Sequence, residues 1–597
     1  MTCFKKTSVI FAIITVFLFN QFSYCLVKAY DLSSENYQSI NLISTQTATP
    51  WAIPTQTPAS STIPTSTPSA SPTATHTPVP AIFPVFKDLD KHNWAYQSVY
   101  SLISKNRFKT YFGNRFQPKA TLNREQFAKI FVTGMNLTVD PFESDFQDVS
   151  MNRFSFKYID AAKKYLPGVW KTKKMNGKYK ALYYFYPTKK LTISDAISSV
   201  NKLLGYKATK TQLAKINSII SKSVTLSERN AFAVALSKGF LPPTHKKCVL
   251  SGLVTKADVC YILDIALKNI PSLNARYRDF FPIGASLKPT DISIPSRRDF
   301  VTKMFGSITC ENAMKQTAIW KADGSYDFSA ADKMIDYALS KDLKTRGHTL
   351  LWHTGVSDNM VGDGKGGLAS KEVVLERIRT YVTDVVTHFK GRLYSWDVVN
   401  EVIGEEHDKN KFFQIFGTDY SYIAEAFRAA RAADPGCKLF YNDFNIEGGG
   451  KYQKVYDALK QLKKQGVPID GIGMQCHFNL NGLDINVFRN AITAFGKLGL
   501  EVHITELDVS LYSSSDGTKE FKTPPKDKVL TQAYFYQQLF QLFKSQKKYI
   551  KNVTFWNLDD GTSWLPTKWG YGKPDWPLLF DKYLLPKSAY WEVLKAT

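Results

Sequence analysis

The stretch Ser395-Trp-Asp-Val-Val-Asn-Glu401 is an apolar run that stops at an amide and a carboxylate. Further on, Glu501-Val-His-Ile-Thr-Glu-Leu-Asp508 repeats the design, with Glu506 closing a β-branched run. A lone glutamate after a strand commonly caps the next helix. Two of them, each ending a short buried strand, point to a shared site, because the C-terminal strand ends of a parallel β/α barrel form its reactive face. A carboxylate pair on such a face supplies a proton donor and a nucleophile, the equipment for cleaving a glycosidic bond.

Such a pair needs a scaffold, and residues 272–597 read as one. Strand candidates follow one another at 281–284, 307–311, 344–352, 393–401, 438–442, 471–477, 502–506 and 553–556, each ending in polar or aromatic residues and most followed by a helical stretch. This predicts a TIM (β/α)8 barrel of the α/β class. In Arg346-Gly-His-Thr-Leu-Leu-Trp-His353, strand alternation puts His348 and Trp352 on one face and His353 on the other, which argues against His348 and His353 sharing a metal. Gln475 and His477 share a face by the same parity.

Trp396-Asp-Val-Val-Asn-Glu401 and Ile504-Thr-Glu-Leu-Asp508, in this order and spacing, resemble the acid/base and nucleophile motifs of the glycoside hydrolase family ten xylanases. The resemblance runs from about Arg276 to the C-terminus. It implies a retaining endo-1,4-β-xylanase without cofactor or metal, in which Glu401 is the acid/base and Glu506 the nucleophile. The pair is expected at the retaining separation of about 5 to 5.5 Å, and the charge of Glu506 to keep Glu401 protonated near neutral pH. By the same resemblance Glu311, Asn312 and Lys315 clamp the sugar and His348 binds it, with Trp352 as pocket wall. Asn400 would hold the 2-hydroxyl, Gln475 would line the substrate site, and His477 would hydrogen-bond the nucleophile. Trp556 and Trp564 would roof the site, stacking on pyranose faces. Three positions depart from the pattern: Gly355 stands for Gln, Phe444 for Tyr and Asn557 for Gly. An inert barrel serving as a wall-bound carbohydrate-binding scaffold, and a β-1,4-glucanase of the same clan, are the alternatives.

The rest of the chain speaks to location. Lys5-Lys6, an apolar run over 9–19 and Val27-Lys28-Ala29 read as an export signal spanning 1–29, with a retained membrane anchor as the alternative. Residues 30–83, rich in Ser, Thr and Pro, read as an extended linker. The formal charge is +25, and roughly 19 of it lies between Pro84 and Ile270. No nucleic-acid module accompanies this block, so a wall polyanion is the expected partner. Seven scattered cysteines show no zinc spacing and no disulfide framework.

That basic block also repeats itself. Phe86-Lys-Asp-Leu, Trp94-Ala-Tyr96, Phe116-Gln-Pro118 and Thr121-Leu-Asn-Arg-Glu-Gln-Phe-Ala128 form a helix, a loop and a capped helix. The pattern reopens at Phe146-Gln-Asp-Val149 and, more eroded, at Ser227-Glu-Arg-Asn-Ala-Phe-Ala233 with Val254-Thr-Lys-Ala-Asp258. The three copies, 84–140, 141–206 and 207–271, resemble S-layer homology domains, which hold secreted proteins to the wall of Gram-positive bacteria through an anionic secondary polysaccharide. Arg124 and Lys256 are the cations that carry over; the second copy has Ile193-Ser194-Asp195 there.

Overall fold

The computed structural model describes residues 86–108, 114–139, 145–176, 178–217, 219–220, 224–245, 251–407, 409–567, 570 and 572–596. The expected signal and linker, 1–83, lie outside them. The described residues form one compact unit with a helical half and a barrel half.

The helical half holds α1 (Tyr96–Ser104), α2 (Arg124–Met135), α3 (Phe156–Ala162), α4 (Ile193–Leu204), α5 (Lys210–Asn217), α6 (Leu226–Lys238) and α7 (Lys256–Lys268). Asn123, Thr192 and Thr255 begin α2, α4 and α7, and each closes a capping box with the side chain three residues on. The residues just before these caps, Leu122, Leu191 and Val254, are buried and meet at one point. Their backbones form a closed ring: Leu122 N–H donates to the Val254 carbonyl at 3.0 Å, Val254 to Leu191 at 3.1 Å, and Leu191 to Leu122 at 2.9 Å. Three segments far apart in sequence thereby satisfy one another's main-chain groups at the centre of the half.

One element was not legible in the sequence. Between α3 and α4 lies an antiparallel ribbon, β1 (Val169–Met175) paired with β2 (Lys178–Tyr184), whose first strand is exposed along its whole length.

In the barrel half the parallel strands are β3 (Ile283–Leu287), β4 (Ser307–Cys310), β5 (Lys344–Trp352), β6 (Ser395–Asn400), β7 (Lys438–Asp443), β8 (Gly471–Met474), β10 (Glu501–Val509) and β11 (Ile550–Phe555). They pair in that order, and β11 pairs with β3, so the eight close into a barrel. The short β9 (His477–Phe478) extends the line of β8 and pairs with the end of β10. This corrects the expectation that Glu506 ends its strand: Asp508 and Val509 continue β10, because His477 and Phe478 supply it with a further partner. Interior strand positions are buried on both faces, as a parallel barrel under helices requires. Gly347 lets Trp396 of the adjacent strand lie flat, since a Cβ there would come within 2.3 Å of the indole.

The joint between the halves is clamped. Tyr590 OH donates to the Pro271 carbonyl at 2.6 Å, and Tyr206 OH to that of Asn269 at 2.9 Å. The C-terminal helix Ser588–Lys595 grips the helical half: Trp591 Nε1 donates to the Met135 carbonyl at 2.6 Å, and Thr138 Oγ1 to Glu592 Oε1 at 2.9 Å. Buried Arg107 reaches across to the Pro586 carbonyl at 3.0 Å and to Asp581 at 3.3 Å.

Candidate active site

Glu401 follows the last residue of β6 with φ of +55°, a turn that stops the strand and leaves the carboxylate at its C-terminal end. Trp352 Nε1, at the end of β5, donates to Glu401 Oε2 at 2.7 Å, and Gln475 Nε2 donates to Oε1 at 2.6 Å. Glu506 Oε1 accepts Asn442 Nδ2 at 2.7 Å, and Oε2 lies 3.2 Å from His477 Nε2. The same Asn442 amide donates to Asn400 Oδ1 at 2.8 Å, while Thr505 Oγ1 fixes Asn442 by donating to its Oδ1 at 2.7 Å. One network therefore joins the Asn400-Glu401 pair to Glu506 across the barrel mouth.

The electrostatics differ for the two carboxylates. His477 Nδ1 stands 3.0 Å from Asp508 Oδ2, so its ring lies between two acids. Burial opposes its charge, but Asp508 and Glu506 outweigh burial and push its pKa up to about 10. At neutral pH an imidazolium stands against Glu506. For Glu401 burial favours the neutral acid, yet Gln475, His353, Trp352 and Lys451 together hold its pKa below the usual carboxylate value. This corrects the expectation of a Glu401 protonated near neutral pH: two direct donors on its oxygens, with Lys451 nearby, outweigh the burial that favours the neutral acid.

Glu311, at the end of β4, is buried and its pKa is raised by that burial against the pull of Lys288. Asn312 Nδ2 donates to its Oε1 at 3.2 Å, Lys315 Nζ donates to Asn312 Oδ1 at 2.8 Å, and the Lys315 ammonium sits 4.7 Å from the Trp352 ring centre. His348 Nδ1 faces Asp397 Oδ2 at 3.0 Å, and Arg346 holds the other Asp397 oxygen at 2.6 Å. This fixes one imidazole nitrogen and leaves the other to the cleft. The His348 and Trp556 rings meet edge to face at 5.2 Å. Trp564 Nε1 donates to Asp508 Oδ2 at 2.9 Å, so Asp508 positions both His477 and Trp564.

The departures have local partners. A Cβ at Gly355 would stand 2.9 Å from the Trp352 indole, so the glycine goes with this placement of the tryptophan. Phe444 lies under the Lys451 ammonium, 3.5 Å from ring centre to nitrogen. Asn557 has φ of +95° and is buried.

Sequence reasoning missed Asn442 and Asp508. Asn442 was visible only as a polar strand end, and Asp508 only as the same-face neighbour two residues after Glu506. His353 lies apart from His348, near Glu405 and His407; the three are the one group of metal-capable side chains among the described residues, with donor atoms within 4.8 Å of one another. Glu405 already accepts from Lys451 at 2.8 Å. In the helical half Arg124 is buried, with Nε and Nη2 donating to the carbonyls of Phe185 and Pro167 at 2.8 and 2.7 Å and Nη1 4.0 Å from Asp195. It edges a cleft of about 230 Å³ shared with Asp195, Lys202 and Glu228. Lys256 Nζ donates to Gln117 Oε1 at 3.0 Å.

A closed β/α barrel carrying two networked glutamates at its strand ends defines a glycoside hydrolase of the barrel class. The description "Glycosyl hydrolase family 10" matches residues 272–596, more than half of the chain, and the chain belongs to that family. The description "S-layer homology domain" matches residues 85–128. The chain is similar to "Endo-1,4-beta-xylanase A" of Thermoanaerobacterium saccharolyticum, 40% identical over 55% of this chain and 28% of the relative. It is also similar to "Exoglucanase XynX" of Acetivibrio thermocellus, 40% identical over 55% of this chain and 30% of that one. It thus spans about three tenths of these two relatives. The crystal structure of xylanase XynB from Paenibacillus barcinonensis superposes with a TM-score of 0.52 at 36% identity, covering 54% of this chain and 98% of that one.

Proposed function

We propose that this protein is a wall-attached endo-1,4-β-xylanase that cuts internal xylosidic bonds with retention of configuration. The observation that carries the reading is the Asn442 amide, which donates to both Asn400 and Glu506 and so couples the Asn400-Glu401 pair to the second carboxylate. Glu506, ionised beside the His477 imidazolium, attacks the anomeric carbon. The bond to the leaving oxygen breaks as Glu401 gives it a proton, and a glycosyl ester of Glu506 forms. Water then gives its proton to Glu401 and its oxygen to the anomeric carbon, and Glu506 leaves as a carboxylate. In the free site Glu401 is held ionised; substrate that closes the cleft to water strengthens the burial that favours its protonated form. The helical half is the wall-binding part, with Arg124 and Lys256 at equivalent places in the first and third copies.

The test is product analysis on glucuronoxylan and mixed-linkage β-glucan side by side, with Glu506→Ala as control. Internal cleavage of xylan that vanishes in the variant supports the reading. Release from β-glucan alone would move the enzyme to the glucanases, and no release from either would leave a binding scaffold.

A further inference from the structure

The exposed ribbon of the second copy has two unlike faces. In its register Lys171, Lys173 and Met175 stand opposite Leu182, Lys180 and Lys178, which gathers four ammonium groups on one face. The other face sets Trp170 opposite Tyr183 and Lys174 opposite Tyr179. Trp170 and Tyr183 stack at 4.6 Å, and Trp170 and Tyr179 are 66% and 75% exposed. Val169 to Tyr184 contain five lysines and no acidic residue.

Lys173 sits directly opposite Lys180. Like charges so placed destabilise a strand pair, and a two-stranded ribbon is marginal to begin with. Nearby acids do not relieve the repulsion. Asp148 accepts the Phe185 and Tyr186 backbone N–H groups at 2.8 and 2.6 Å, Asp145 pairs with Lys163 at 3.3 Å, and among the described residues none of the five lysines pairs with a carboxylate. The first helical residue of the second copy, Ile193, donates its N–H to the Gly252 carbonyl just as Arg124 donates to Lys189 and Lys256 to Ala120. The second copy is thus the one without a cation at that place, and it is the one that carries the ribbon.

We propose that the ribbon is a second wall-binding site, where an anionic glycan of the cell wall lies along the face formed by Lys171, Lys173, Lys178 and Lys180. Ammonium groups two residues apart along a strand repeat at roughly 7 Å, a spacing that suits charges distributed along a polymer. The inference rests on the helical half being the wall-binding part.

The test uses the full chain, wild type and the variant K171Q/K173Q/K178Q/K180Q, on purified Gram-positive sacculi, on the same sacculi stripped of secondary polymer, and on glucuronoxylan. Wild type should bind intact sacculi and release with salt. The quadruple variant should bind about tenfold or more weakly with a flatter salt dependence, since its screened contacts are gone, while hydrolysis of soluble xylan is unchanged. Wild-type binding with an equally tight, equally salt-sensitive quadruple variant overturns the ribbon site alone. Wild type that ignores intact sacculi overturns both the ribbon site and the wall-binding reading. A loss confined to glucuronoxylan overturns the wall glycan as the occupant.

Discussion

The side-chain amide of Asn557 ties the sugar clamp to the roof: its Nδ2 donates to Glu311 Oε2 at 2.5 Å and its Oδ1 accepts the Trp564 backbone N–H at 3.0 Å. It does so at φ of +95°, where a side chain costs about 1–3 kcal/mol and persists only under constraint. Asn557→Gly should relieve that strain while freeing Glu311. KM for xylo-oligosaccharides should rise about tenfold or more with kcat nearly kept, in line with losing a hydrogen bond to a charged group, and Tm should fall little. Asn557→Ala keeps the strain and loses the bonds, so its Tm should lie below that of the glycine variant. Steady-state kinetics and calorimetry on the pair decide the point; equal KM for all three forms would show that the tie does not serve binding.

The two glutamates should fail differently. Glu506→Ala removes the nucleophile, and activity should fall by about 10³-fold or more on every substrate. Glu401→Ala should lose xylan cleavage but retain some action on aryl xylosides whose leaving group needs no proton, and azide should restore turnover. Azide rescue of Glu506→Ala with an inverted product would exchange the roles.

Trp352→Phe keeps the ring and removes the N–H that stabilises ionised Glu401. The Glu401 pKa should rise, so the protonated acid persists to higher pH and the alkaline limb of kcat/KM moves up. A pH–rate profile of variant against wild type reads this; an alkaline limb moved down would contradict it.

His477 has its pKa raised to about 10 in the folded protein, above the ordinary histidine value of about 6.5. Its contribution to stability is therefore full below pH 6.5 and disappears as pH rises through 10. Tm measured across that window should fall more steeply for wild type than for His477→Gln.

Trp591→Phe leaves the Met135 carbonyl without its donor at the joint between the halves. A loss of about 1–3 kcal/mol is expected, read as a lower Tm by calorimetry with xylan kinetics unchanged.

The barrel was legible because each strand is a short apolar run with its own polar end, and the chemistry sits at those ends. Glu401, Glu506 and His477 could be found from local pattern. Asn442 could not, since its role comes from standing between β6 and β10 around the closed barrel, a relation no linear spacing records. The ionisation of Glu401 was misread for the same reason: Trp352 and Gln475, on other strands, decide it. The ribbon hid because its first strand, exposed at every position, lacks the alternation of apolar and polar residues that marks a half-buried strand.

The ring that joins Leu122, Leu191 and Val254 is made of peptide groups alone. Residues around it can be exchanged without breaking it, so long as the backbone still closes. The same closure makes the three segments interdependent: deleting any one of them leaves a donor and an acceptor unpaired at the centre of the helical half.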